Sequence, residues 1–377
     1  MSAPFSLHST INAHETFSEF AEKFALNEND LIFVTSIIYD MYIKPLGLPC
    51  QVMIYEEYCQ GEPTEDAVDT IYKELSRMTI HRVIGVGGGA VLDTAKLLAL
   101  KDVTCAADVF EDKIPLERDK KLILIPTTCG TGSEISNTSI IYRPALDVKI
   151  GKNIPCNFCD DAVLIPELLS KLPRRIFANT AFDALAHNIE IFLGPNNSPV
   201  TKMICKEGIA LAIKNLALIA DGESDEAYKH MLDFLMASTF GGIGMANGRS
   251  NSSLHSHAFA LVFGARNDVP HGESVSIFLI SCLRIKARKY PDGNITALAK
   301  VINEVLGTQY NSVEAVEKLG EILDSVYKRK PLREYGMKRE DIPVYVQDMI
   351  DTQQRLIGKE CELEDFNDFV AIYEDCF

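Results

Sequence analysis

The stretch HRVIGVGGGAVLDTAKLLAL, residues 81–100, decides how the rest of the chain is read. HRVIGV is rich in β-formers, three consecutive glycines follow at 87–89, and AVLDTAKLLAL has helical spacing. The sequence is therefore strand, glycine turn, helix. Glycines in that place let backbone amides approach an anion closely, and the next helix points its N-terminus at it. The run can be parsed as G-x-G-x-x-A at Gly85, Gly87 and Ala90, the dinucleotide fingerprint. It follows what reads as the third strand and not the first, so the usual Rossmann placement is not met. A tight strand–helix turn with no ligand has the same local signature.

A second loop adds weight. KLILIPTTCGTGSE (121–134) is a strand running into a turn dense in glycine and hydroxyls, with Thr127, Thr128, Thr131 and Ser133. Hydroxyls and exposed amides suit pyrophosphate and ribose, and two such loops at adjacent strand ends fit a dinucleotide. Outward from these loops, DLIFVTS (30–36) and QVMIYEE (51–57) read as strands. Between them IIYDMYIKPLG is helical and ends on Gly47. GEPTEDAVDTIYKELSRM starts a helix with Pro63 near its first turn and carboxylates where the dipole favours them. Such alternation implies a mostly parallel, doubly wound sheet. After about Pro166 the segments become helical with few strand-like runs. The expectation is an α/β dinucleotide-binding domain over 1–165 and an all-α metal-binding and substrate domain over 166–377. Ligands of such architectures lie in the cleft between domains or beyond the strands' carboxyl ends.

Composition narrows the class. A chain of 377 residues with 47% hydrophobic and 24% charged residues can bury a large core. The net charge of −16 argues against nucleic acid or an anionic membrane surface as partner. No N-terminal apolar h-region and no 18-residue apolar segment occur, so neither secretion nor membrane spanning is expected, and a cytoplasmic location is. Of the 10 cysteines only Cys156 and Cys159 form a CxxC, and nothing nearby completes a metal site; reduced thiols are expected.

The second half carries a different chemistry. FDALAHNIE (182–190) sets Asp183 and His187 four apart on one helix face, as a chelating pair or a simple hydrogen-bonded pair would require. SLHSHAFALVFGARNDVPHGESV (253–275) adds His257 within a helix and His271 fourteen residues later, after Gly264 and Pro270. One carboxylate and three imidazoles suit Fe²⁺ or Zn²⁺. His255, two residues before His257, should face elsewhere and is read as structural or surface-facing.

GGGAVLDTAK, PTTCGTGSE, DALAHNIE and HAFALVFGARNDVPHG resemble, in order and spacing, the signatures of the iron-containing (group III) alcohol dehydrogenases, across essentially the whole chain. The resemblance implies the dehydroquinate synthase-like architecture, NAD and a metal facing each other, and a small alcohol or aldehyde substrate. It implies Asp183, His187, His257 and His271 as metal ligands. Gly87, Gly88, Gly89, Asp93 and Lys96 match the first cofactor loop, and Thr127, Thr128, Gly130, Thr131 and Ser133 the second. No protein nucleophile is required. Two positions depart from the pattern: Ala90 replaces a common serine after the glycines, and Leu261 stands where relatives often carry a further histidine beside the nicotinamide.

KPLREYGMK (330–338), QQRL (353–356) and ISNTS (135–139) resemble the branch of the family acting on 4-hydroxybutyrate and succinate semialdehyde. A substrate carboxylate wants a cation; Arg266, Lys149 and Lys152 are the candidates. NAD is expected over NADP because the strand end Val34-Thr35-Ser36 offers no Arg or Lys to a 2′-phosphate, although no carboxylate stands there either. Dehydroquinate synthases share the architecture, but their sites carry many lysines and arginines that 180–275 lacks. A non-enzymatic NAD(H) sensor would have no need of the four metal ligands. A homodimer is compatible with the sequence, which does not set the oligomeric state.

Overall fold

The computed structural model describes residues 5–146, 148–248, 254–354, 356–357, 363 and 365–377. The chain divides into two compact units, 7–172 and 173–377. Ser6 joins the second, its N–H donating to Asn247 Oδ1 at 2.7 Å.

In the first unit the strands are β1 (Thr10–Ala13), β2 (Asp30–Val34), β3 (Gln51–Ile54), β4 (Arg82–Gly87), β5 (Lys121–Pro126), β6 (Thr138–Arg143), β7 (Val148–Asn153) and β8 (Asp161–Leu164). Six form one sheet in the order β1-β8-β5-β4-β2-β3, and every pairing in it is parallel. β6 and β7 make a separate antiparallel hairpin. All five residues of β2 are buried, and β4 and β5 are buried beyond their first residue. That continuous burial is what a parallel sheet covered on both faces demands, and it explains the unbroken apolar runs. The core includes Phe17, Phe20, Ile32, Val34, Ile84, Val86, Ile123, Ile125 and Val163.

The chain leaves β2 outward to β3, then returns to place β4 on β2's other side. This reversal is a topological switch point, and ligands of open α/β sheets bind at the carboxyl ends beside it. Val34 pairs with both Ile54 and Val86, and Val86 pairs with Ile125, so four carboxyl ends stand level.

Several expectations shift here. The glycine turn follows the fourth strand, because β1, TINA, is a four-residue edge strand too short to announce itself. β2 stops at Val34 and β3 at Ile54; Tyr55–Glu57 is a 3₁₀ turn. The helical run between them is irregular: an α-turn at Ser36–Ile38, a π-turn at Tyr39–Ile43 and a 3₁₀ turn at Lys44–Leu46. It ends on Gly47 in the left-handed region, φ +58°. After α1 (Phe17–Lys23), helix α2 (Glu65–Leu75) starts two residues after Pro63. Thr64 is its N-cap, accepting from Ala67 N–H, and Pro63 lies outside. α3 (Gly89–Leu98) follows the glycine turn.

The second unit is helical: α4 (Arg174–Leu193), α5 (Pro199–Ala220), α6 (Met231–Asn247), α7 (Ser256–Asn267), α8 (His271–Lys289), α9 (Ile295–Leu306), α10 (Ser312–Val326), α11 (Ile342–Thr352) and α12 (Phe366–Asp375). α4 is buried along most of its length, flanked by α5, α6 and α8. A helix in the middle of a bundle buries most of its surface, and this one buries the polar Asn179, Asp183, His187, Asn188 and Glu190 along with its apolar side chains. No helix among the described residues is long and apolar enough to cross a membrane.

Candidate metal centre and cofactor loops

Asp183, His187 and Glu190 lie at i, i+4 and i+7 of α4, so one stripe of this buried helix is polar. α7 brings His257 to that stripe, and the first residue of α8 is His271. His257 Nε2 is 3.3 Å from Asp183 Oδ1, His271 Nε2 is 3.7 Å from it, and His187 Nε2 4.0 Å. The rings of His187 and His257 stack at 4.4 Å. One ligand atom each from Asp183, His187 and His257 fall within 4.8 Å of one another, the spacing of a shared cation. A carboxylate oxygen with imidazole nitrogens is a donor set for Fe²⁺ or Zn²⁺. The Asp183 and His257 side chains are buried, whereas that of His271 is 43% exposed, so the centre opens on its His271 side.

Glu190 was not singled out from the sequence, although it stands in the quoted DALAHNIE and its i+3 spacing from His187 was the available signal. Its Oε2 is 2.8 Å from His257 Nδ1, and its Oε1 accepts from the hydroxyl of Ser256. A carboxylate only accepts, so His257 Nδ1 donates to Glu190 and Nε2 donates to Asp183 Oδ1; a metal bound here would take the place of the Nε2 hydrogen. Burial opposes charge on both carboxylates. The imidazoles outweigh it, holding Asp183 below the ordinary carboxylate range and Glu190 at about 2. Burial likewise opposes a charged His257, but Glu190 and Asp183 push it up to about 10. The pocket concentrates negative charge and favours a cation in its midst.

Placement of His271 depends on two further residues missed in the sequence. Gly272 abuts the backbone of Asn179, and a Cβ there would overlap the Asn179 carbonyl. Glu273, buried in the first turn of α8, accepts from Arg175 Nη2 at 2.7 Å and from the hydroxyl of Tyr335 at 2.6 Å. Tyr335 belongs to KPLREYGMK, and through this bond that stretch pins the helix that carries His271.

In the first unit the two loops are neighbours, as adjacent parallel β4 and β5 require. Thr127 N–H donates to Gly87 O at 3.0 Å, and Gly88 lies against Thr128. A Cβ on Gly87 would come within 2.5 Å of Val91, so that glycine serves close packing of turn on helix, whereas Gly88 has ordinary room. Gly88, Gly89 and Thr128 are partly exposed and Thr131 is exposed, which makes them the reachable rim. Gly87, Thr127, Gly130, Ser133, Asp93 and Lys96 are buried beneath. Lys96 Nζ donates to Asp93 Oδ1 (3.0 Å), Ser133 Oγ (2.7 Å), Ser136 Oγ (3.2 Å) and Thr138 O (2.7 Å). Ser136 and Thr138 belong to ISNTS, so this stretch is the strap that ties the loop to the β6–β7 hairpin.

Residues 8–166 match "Iron-containing alcohol dehydrogenase", and residues 177–377 match "Fe-containing alcohol dehydrogenase family, C-terminal". The chain belongs to the iron-containing alcohol dehydrogenase family. Among similar family members is a 4-hydroxybutyrate dehydrogenase of Clostridium kluyveri, 32% identical over 96% of each chain. A sulfoacetaldehyde reductase of Bilophila wadsworthia is 25% identical over 86% of this chain and 84% of its own. The fold matches the crystal structure of sulfoacetaldehyde reductase from Bifidobacterium kashiwanohense in complex with NAD⁺, at TM-score 0.82 and 20% identity, covering 100% of this chain and 99% of that one.

The remaining residues of interest sort themselves within this member of the family. Arg266 does not present a free guanidinium to a substrate: its Nε donates to Asp348 Oδ2 at 2.8 Å and it lies 5.0 Å over the Tyr345 ring. The partner sits 82 residues away, beyond the reach of any local pattern. Arg266→Ala is therefore expected to change KM for 4-hydroxybutyrate and 1-butanol equally, by less than about twofold, and to lower stability by at most about 1 kcal/mol. Steady-state kinetics on both alcohols check it; a rise confined to 4-hydroxybutyrate would restore Arg266 as the carboxylate's partner. Lys149 and Lys152 are likewise taken, by Glu62 and Asp112. Leu261 is half-buried, one turn beyond His257 on α7. His255 is structural and not surface-facing: fully buried, with its ring nitrogens at 3.2 and 3.1 Å from the carbonyls of Leu356 and Leu363. Cys156 and Cys159 are free thiols. In QQRL, Arg355 lies outside the described residues.

Proposed function

We propose that this dehydrogenase interconverts 4-hydroxybutyrate and succinate semialdehyde, using NAD and an Fe²⁺ centre, Zn²⁺ being suited by the same donors. The observation that carries the substrate assignment is the full-length, 32% identical relative named for 4-hydroxybutyrate. The names of the sulfoacetaldehyde reductases support the same substrate shape, a short aldehyde with an anion at its far end.

A metal held at this centre would supply Lewis-acid chemistry toward the substrate oxygen, and a dinucleotide on the two loops would supply the hydride acceptor. The chain's own residues do the positioning. Asp183, His187, His257 and His271 would hold the metal, and Glu190 would fix the His257 tautomer that leaves Nε2 to it. Gly88, Gly89, Thr128 and Thr131 offer amides and hydroxyls to the pyrophosphate, on a base braced by Asp93, Lys96 and Ser133. Leu261 carries no proton, so the alcohol's proton leaves without an imidazole at that position.

NADH formation by metal-reconstituted protein, compared across 4-hydroxybutyrate, 1-butanol, glycerol and 1,3-propanediol, tests the assignment. The expected outcome is a kcat/KM for 4-hydroxybutyrate at least about tenfold above the others, a difference of ~1.4 kcal/mol in transition-state binding. No turnover of 4-hydroxybutyrate alongside turnover of another alcohol would reject the substrate while leaving the family intact.

A further inference from the structure

The strand end Val34-Thr35-Ser36 has no carboxylate of its own, but the fold brings one there. Glu56, just past β3, accepts the backbone N–H of Ser36 at 2.8 Å through Oε2. We infer that Glu56 selects NAD over NADP by meeting the adenosine ribose of the bound dinucleotide. This rests on the proposed dehydrogenase function and names which dinucleotide its cofactor loops accept.

The geometry gives three supports. β3, β2 and β4 end level, through the pairs Val34–Ile54 and Val34–Val86. Glu56 therefore stands about two strand spacings, roughly 10 Å, from the glycine turn. A dinucleotide whose pyrophosphate lies on that turn at a switch point extends its adenosine across the neighbouring strand end. That end is β2, where Ser36 holds Glu56. Second, Glu56 is exposed, and no ion pair engages it among the described residues, whereas nearby Glu62 and Asp40 are paired with Lys149 and Lys44. Its charge is thus uncompensated, and its Oε1 has room to accept from a ribose 2′-hydroxyl. Third, the same carboxylate repels a 2′-phosphate, so attraction to one cofactor and rejection of the other come from one group.

Glu56→Gln isolates the charge. The amide oxygen can still accept from Ser36 N–H, so the turn keeps its hydrogen bond. Titration calorimetry of NAD⁺ and NADP⁺ against metal-loaded wild type, Glu56→Gln and the neighbouring control Glu57→Gln reads the effect without turnover. Wild type and Glu57→Gln are expected to bind NAD⁺ at least about tenfold more tightly than NADP⁺. Glu56→Gln should tighten NADP⁺ by roughly tenfold while weakening NAD⁺ only a few-fold. Wild type that binds NAD⁺, with a Glu56→Gln variant unchanged toward NADP⁺ or shifted equally for both, would overturn the role of Glu56 alone. Should Glu56→Gln lose its circular-dichroism signature, Glu56→Asp, which keeps the charge, is expected to keep the preference, and its loss would overturn the inference. A wild type that binds neither dinucleotide would overturn the dehydrogenase proposal itself.

Discussion

Lys96→Met is expected to cost the first unit about 3–5 kcal/mol of folding free energy. The side chain is fully buried and its ammonium is shared among Asp93, Ser133, Ser136 and the Thr138 carbonyl. Asp93 is equally committed: its Oδ1 receives Lys96 and the Ser133 hydroxyl, and its Oδ2 the Ile140 N–H. Methionine fills the space but leaves Asp93 as a buried charge with no counter-ion, which is where most of the cost lies. The pair is an expensive way to build a core, and removing both charges should hurt less than removing one. A double-mutant cycle of Lys96→Met and Asp93→Asn, by urea unfolding followed by circular dichroism, measures this. The double variant is expected to recover at least about 1 kcal/mol relative to the sum of the singles. A Lys96→Met cost under about 1 kcal/mol would mean the network is not a brace. Because Ser133, Ser136 and Thr138 lead from the second loop into β6, NAD⁺ affinity should fall with the stability.

Glu190→Gln is expected to weaken metal binding by about 10–100-fold. Glu190 receives three donors at once, the His257 Nδ1–H, the His257 backbone N–H and the Ser256 hydroxyl. Glutamine has one oxygen to offer and an amide that donates. If the amide faces the ring, His257 moves its hydrogen to Nε2, where the metal should bind. If the oxygen faces the ring, Ser256 loses its acceptor. Either way Nε2 is less often free to take a metal, and the charge that favours a cation is gone. Competition with a chromophoric chelator gives the affinity directly. NAD⁺ binding should be unchanged, since Glu190 belongs to the helical unit; excess metal should restore much of the turnover. Unaltered metal affinity would remove Glu190 from the support of His257.

How much of this could be read in the sequence follows from how local each signal is. The glycine turn, the hydroxyl-rich loop and the Asp183–His187 pair are written within one turn or one strand end, so spacing alone exposes them. β1 and β8 are four residues each, too short to show a period, and their parallel partners come from distant parts of the chain. Lys96 looked like a cofactor-facing charge because helical spacing does not say which charged residues a hairpin will later cover. Arg266 looked available because Asp348 is 82 residues downstream. Glu56 belongs to the same class: strand order, not sequence order, makes it a neighbour of Ser36. Helix and strand identities are local; which side chains meet is set by topology.

The burial of His255 has a consequence for anyone handling this protein. Its backbone is left-handed, φ +62°, immediately before α7, and its ring is tethered to the carbonyls of Leu356 and Leu363, more than a hundred residues downstream. The first turn of α7, and His257 with it, is thereby moored to the carboxyl-terminal stretch. Removing the stretch that carries those two carbonyls is expected to lower metal affinity, a loss that chelator competition would read. That stretch behaves as scaffolding for the candidate metal centre, although Asp183, His187, His257 and His271 all lie well upstream of it.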